Sequence, residues 1–203
     1  MDFINDKNIE NCLKIAIAGN VDSGKSSLIG VLSSKKLDNG RGSARESVLV
    51  NKHEKSSGRT SCISFNEVRY DLDKKKILTL IDLAGHEKYF KTTIFGLTGL
   101  YPDYGIVVVG ANMGINKMTK EHLGLMLYLK IPIIVVITKI DICPENVYEN
   151  TKNKLRKILK VPIFNKKPFF ISRDNENAKK DVNKYLSLKN NTLIPVISIS
   201  NKT

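Results

Sequence analysis

The residues best able to do chemistry fall in three short clusters. The first is GNVDSGKS at residues 19–26, a G-x-x-x-x-G-K-[ST] pattern that follows an apolar run and opens a helix-like segment. Gly19 and Gly24 let the backbone wrap closely around phosphate oxygens. Asn20, Val21, Asp22 and Ser23 carry the loop round, and the amides from Asp22 to Ser26 point inward, helped by the partial positive charge of a helix N-terminus. Lys25 supplies a point charge for β- and γ-phosphates, and the Ser26 hydroxyl suits Mg²⁺. Ser27 is counted with them as a nucleotide-binding position. The cluster specifies a nucleotide phosphate and leaves the base open.

The second cluster is Asp82-Leu83-Ala84-Gly85, a D-x-x-G at the end of an expected strand, 56 residues after Ser26. A carboxylate there can hold Mg²⁺ through water, and the Gly85 amide can approach a γ-phosphate. His86 follows directly. It reads either as the group that orients an attacking water or as a surface-loop histidine. Thr60 lies in a long polar stretch and reads either as a second Mg²⁺ ligand or as a plain loop threonine. His53 and His122 have no such context and are assigned no role.

The third cluster is Thr138-Lys139-Ile140-Asp141, another 56 residues on, with the pattern [NT]-K-x-D. The two acceptor oxygens of Asp141 match the N1–H and 2-amino donors of guanine; adenine has an acceptor at N1 and no 2-amino group. Sites built on such bonds discriminate by on the order of 10⁴. The Lys139 stem can lie along the base. Thr138 stands where asparagine is usual, and a hydroxyl replaces only part of an amide's bonding. Ser200-Asn201-Lys202 near the chain's end, or Ser198-Ile199-Ser200 in a rival register, offers an amide for the guanine oxygen, the weakest of the motifs.

These clusters need a scaffold that brings strand ends to one edge. Strands are expected at residues 13–18, 65–72, 76–81, 105–109, 131–137, 169–171 and 193–199, with a tight turn at 73–75. Helices are expected at 26–32, 87–96, 119–129, 147–160 and 175–188. In the helix at 147–160, Val147, Thr151, Leu155, Ile158 and Leu159 share a face. In the last helix Val182, Tyr185 and Leu186 should point inward. Residues 34–62 read as a long functional loop. β-branched runs alternating with helices imply an α/β fold with a mostly parallel sheet and helices on both faces.

Composition sets the outer limits. The chain has 203 residues, 41% hydrophobic and 26% charged, which suits one globular domain rather than a disordered or fibrous chain. Cys12, Cys62 and Cys143 are too few and too scattered for a disulfide framework or a zinc site, and they fit a reducing, cytoplasmic setting. Apolar runs are strand-sized, so no membrane span is expected, and the start does not read as a signal peptide. The net charge is +13, of which +9 falls in residues 152–189. That stretch is either an electrostatic footprint for RNA or a solvated face in a lysine-rich chain, with 27 Lys to 6 Arg.

With these residues together, the chain resembles the G domain of the elongation-factor-like GTP-binding protein family, among the translation-factor-class P-loop GTPases. The resemblance rests on GNVDSGKS at 19–26, LDNGRGSAR at 37–45, KHEKSSGRTS at 52–61, IDLAGHEKYFKTTIFGLTG at 81–99, MTKEHLGL at 118–125 and VITKIDICP at 136–144. It covers nearly the whole chain, most thinly at 161–192. It implies a Ras-like P-loop NTPase fold, binding of GTP or GDP with Mg²⁺, and slow GTP hydrolysis stimulated by a partner, often the ribosome. It puts Thr60 on the switch threonine, His86 on the water-orienting histidine, and Asp22 where a monovalent cation can sit. Arg59 stands where elongation factors carry an apolar residue opposite Val21. It is either a solvated arginine or one that neutralises a transition state.

The expectation is therefore a monomeric single G domain over 1–203, ending at the base-binding loop without β-barrel domains. It is expected to act as a GTP-hydrolysing switch. The alternatives are a binding-only GTP module or an RNA-binding protein using the basic segment. An ATPase is disfavoured because Asp141 is wrong for adenine.

Overall fold

Runs rich in Ile and Val can be buried on both faces only as central strands, and here they line up side by side. The computed structural model describes residues 12–46, 48–49, 60–71, 76–188 and 191–202. In chain order the elements are β1 (Cys12–Gly19), α1 (Lys25–Ser34), α2 (Ser43–Glu46), β2 (Ser64–Asp71) and β3 (Lys76–Asp82). A 3₁₀ turn (Glu87–Tyr89), α3 (Phe90–Gly99), β4 (Tyr104–Gly110), α4 (Lys117–Tyr128) and β5 (Ile133–Thr138) follow. The chain continues through α5 (Glu145–Leu159), β6 (Lys167–Phe170), α6 (Asn175–Leu188) and β7 (Leu193–Ser198). The strands form one sheet in the order β2-β3-β1-β4-β5-β7-β6. Only the β2–β3 pair is antiparallel.

Successive strand residues face opposite sides, and each side has its own core. Ile17, Leu80, Val108 and Val136 meet Leu28 and Ile29 of α1. Ala16, Ile81, Val107 and Ile137 face the other way, against Leu97 of α3, Met126 of α4 and Leu155 of α5. This is the expected α/β arrangement, mostly parallel and covered on both faces.

Several details differ from the sequence reading. The polar stretch at 34–62 contains α2. The helix expected from residue 87 begins as a 3₁₀ turn and becomes α-helical at Phe90. On α5 Thr151, Leu155 and Leu159 are buried as expected, but Tyr148 joins them and Val147 is only half-buried. The Tyr148 hydroxyl shares a 2.8 Å hydrogen bond with Ser198 Oγ, fastening α5 to β7. Helix α6 has no buried residue, and Val182 and Leu186 are 38% and 62% exposed. It is anchored by Tyr185 against Phe169, with ring centroids 5.8 Å apart, and by Asp181, which accepts from the Ser172 amide at 2.9 Å. The four-residue strand β6 offers too little surface to bury a whole helix face. The expected turn at 73–75, and with it His53, Arg59 and most of the 52–61 motif, lies outside the described residues.

His122 on α4 is fully buried, and neither ring nitrogen has a hydrogen-bond partner among the described residues. Its ring packs 5.6 Å from Phe90. Burial, and then the positive charge of Lys25, push its pKa from 6.5 down to about 4. The unfolded chain therefore takes up a proton near pH 6.5 that the folded chain refuses. That cost is absent above pH 6.5 and grows as the pH falls toward 4. Between pH 7.5 and 4.5, urea unfolding should show wild type losing about 2–3 kcal/mol more than His122→Leu. Equal losses would contradict the buried, neutral imidazole.

Candidate functional site

The site forms at the C-terminal edge of the sheet, beside the strand where the order turns from β3 to β4. β1 ends at Gly19, whose φ is +153°. A Cβ at Gly19 would strike the Val108 carbonyl oxygen of β4, so only glycine lets β1 turn there. The loop closes with the Ser23 amide donating to the Asn20 carbonyl at 3.3 Å. Asp22 takes a left-handed φ of +59°, which its short polar side chain tolerates. Gly24, at φ +88°, caps α1. Val21, Asp22 and Gly24 to Ser27 thus face a cleft that Thr60 and Gly85 also line.

Lys25 is only 7% exposed, and its Nζ donates to the Asn20 carbonyl at 3.0 Å. Burial lowers its pKa, against the pull of Asp82 and then Asp22. The Asp82-Leu83-Ala84-Gly85 turn passes directly over it. A Cβ at Gly85 would lie 2.5 Å from both Lys25 Nζ and the Gly19 carbonyl oxygen. Leu83 and Ala84 are buried, and the Ala84 carbonyl accepts from Thr93 Oγ1 at 2.9 Å.

Ser26, Thr60 and Asp82 come together in a triangle. Asp82 Oδ2 accepts from Ser26 Oγ at 2.8 Å and from Thr60 Oγ1 at 3.1 Å, and the two hydroxyls are 3.0 Å apart. Thr60 is buried and therefore is no plain surface threonine. Two hydroxyls and a carboxylate, beside a cleft that Lys25 also lines, form the hard-oxygen donor set that Mg²⁺ takes together with phosphate oxygens. The residues present fit that ion.

The base motif has a second job. Thr138 is fully buried at the end of β5, and its hydroxyl donates to the Ser23 carbonyl at 2.5 Å. The group expected to face the base thus holds the phosphate loop. From the next strand end, Asn201 Nδ2 donates to the Gly24 carbonyl at 3.4 Å. Lys139 sits at φ +60°, Asp141 is exposed beyond it, and the Lys202 amide donates to Ser200 Oγ at 3.1 Å. Ser23 Oγ and Asn201 Oδ1 are buried without a partner among the described residues.

His86 departs from the arrangement expected of a water-orienting group. Its side chain is exposed and caps the 3₁₀ turn, with Nδ1 accepting from the Lys88 amide at 3.1 Å. It does not line the cleft. One cleft residue was given no role in the sequence reading. Arg45, the last residue of the 37–45 motif, lines the cleft from α2.

The chain belongs to the elongation factor Tu GTP binding domain family, whose model matches residues 10–203. It is 42% identical over 213 residues to GTP-binding protein 1 of Xenopus laevis, covering 94% of this chain and 32% of that protein. It is 43% identical over 182 residues to GTP-binding protein 2 of Homo sapiens, covering 81% of this chain and 30% of that one. The chain thus spans about a third of the length of these relatives. Among solved structures it is similar to a bacterial selenocysteine-specific elongation factor, EF-Sec. That match has a TM-score of 0.63 and 25% identity, and covers 93% of this chain and 25% of that one.

Replacing Thr138 by Val keeps the shape and removes the hydroxyl. The buried Ser23 carbonyl then loses its donor, which should cost about 1–3 kcal/mol in urea unfolding. A change within about 0.5 kcal/mol would show that the bond adds nothing to the loop.

Proposed function

We propose that the chain binds GTP and GDP with Mg²⁺ and hydrolyses GTP slowly, as a switch. The Ser26–Thr60–Asp82 triangle beside the buried Lys25 carries this reading. It concentrates hydroxyl, carboxylate and ammonium groups where a polyphosphate would sit.

Lys25 and the amides around it bind β- and γ-phosphates. Ser26 and Thr60 would hold Mg²⁺ directly and Asp82 through water, and the ion would neutralise charge on the phosphate oxygens. Asp141 accepts from guanine. His86 orients the attacking water by turning its ring from the Lys88 amide toward the cleft. Loss of the γ-phosphate removes the partner that Thr60 and Gly85 share, releasing both segments. The domain works as a monomer in the cytoplasm. The basic segment at 152–189 is its contact with RNA, the ribosome included.

Competition against a fluorescent GDP analogue with Mg²⁺ tests the binding reading. GTP and GDP should displace it, and ATP should not at a thousandfold higher concentration. Displacement by ATP, or by nothing, would sink it. Unstimulated turnover should be on the order of 10⁻⁴ to 10⁻³ s⁻¹.

The outward ring of His86 favours a second reading, a module that loads nucleotide and barely turns it over. His86→Ala decides between them in single-turnover hydrolysis with and without ribosomes. A lower rate with GDP affinity unchanged supports the enzyme, and equal rates support the binding-only module.

A further inference from the structure

The cleft holds a cation that the functional reading above does not use. Arg45 lines it together with Lys25, Ser26 and Thr60. Among the described residues no carboxylate lies within ion-pair distance of its guanidinium. A half-buried guanidinium lining such a cleft, without a counter-ion among the described residues, is suited to phosphate.

Its position is built by specific contacts. α2 presses onto α1 so closely that a Cβ at Gly30 would collide with the Ala44 carbonyl. Ala44 is 7% exposed, so the residue before Arg45 is seated in the protein. Gly42, at φ +93°, leaves the space beside the guanidinium. A Cβ there would lie 2.6 Å from Arg45 Nε and 3.1 Å from Nη2.

Asp38 ties the segment together. Its carboxylate accepts from the Ala44 amide at 2.9 Å, Ser43 Oγ at 3.2 Å and the Gly40 amide at 3.2 Å. The Asp38 amide in turn donates to the Asn201 carbonyl at 2.8 Å. The segment carrying Arg45 is therefore fastened to the base-side loop as well as to α1.

We propose that Arg45 is a phosphate-binding residue, a second cation that grips the polyphosphate of the bound nucleotide alongside Lys25. This rests on the reading that the cleft takes a guanine nucleotide. The planar guanidinium can bond two phosphate oxygens at once, which an ammonium cannot match in geometry.

The test compares wild type with Arg45→Gln, Arg45→Lys and the exposed control Arg41→Gln, all in the full chain. GDP and a non-hydrolysable GTP analogue are titrated with Mg²⁺ at several salt concentrations. Arg45→Gln should weaken at least one of them about tenfold to hundredfold and flatten the salt dependence. Arg45→Lys should recover part of the loss, and Arg41→Gln should bind as wild type does. The nucleotide-free melting temperature should not change. Affinities within twofold of wild type for both nucleotides would overturn the proposal. So would a loss matched by a lower nucleotide-free melting temperature with the salt dependence intact. If wild type itself binds no guanine nucleotide, the underlying reading of the cleft fails. If wild type binds and Arg45→Gln binds equally, only the role of Arg45 fails.

Discussion

The site depends on one loop of backbone being held with no slack. At Gly19 the chain passes the Val108 carbonyl with no room for a side chain. At Gly85 a second turn approaches Gly19 and Lys25 just as closely. The Thr138 hydroxyl and the Asn201 amide hold the Ser23 and Gly24 carbonyls from the far side. Four strand ends thus converge on one turn. The turn is therefore held in place before any anion arrives, which is the physical advantage of a pre-formed cradle.

The parallel sheet makes that convergence unavoidable. Parallel neighbours end on the same edge, so loops after β1, β3, β5 and β7 meet there whatever the helices between them do. Most of the apolar sequence is spent on keeping this edge fixed. Ile17, Leu80, Val108 and Val136 serve one face, and Ala16, Ile81, Val107 and Ile137 the other. Elements that do not support the edge are packed more loosely. α6 buries nothing and hangs from Phe169 and Ser172 at the sheet's margin.

Much of this was legible in the residues, and the exceptions have physical causes. Glycine, lysine and carboxylate spacings specify the phosphate loop, because few other residues can make that turn and carry that charge. A mostly parallel sheet follows from β-branched runs alternating with helices; the strand order comes only from the structure. Thr138 was readable as a member of the base motif, but its bond to Ser23 joins residues far apart in sequence, and no local pattern encodes it. Arg45 was readable as part of the 37–45 motif, but its place in the cleft was not. What sets that place is the absence of side chains at Gly30, inside α1, and at Gly42, and no local pattern says which glycines make room for a neighbour. On α6, the spacing of Val182 and Leu186 gives a true amphipathic pattern, yet no partner surface is long enough to cover it. His86 sits beside the phosphate side in sequence, while its ring is drawn outward by the nearest unpaired amide of the 3₁₀ turn.

The antiparallel pairing of β2 with β3 has a consequence for how the chain tolerates change. Ser64 pairs with Asp82 in the ladder, and Thr60 lies only four residues before it. The distance between Thr60 and Asp82 is thereby set from the C-terminal side, by strand register. The length of the connection arriving from α2 has no part in that spacing. Insertions and deletions upstream of Thr60 can accumulate without moving the triangle. A single residue added between Thr60 and Ser64, or a slip of the ladder by one, would dismantle it.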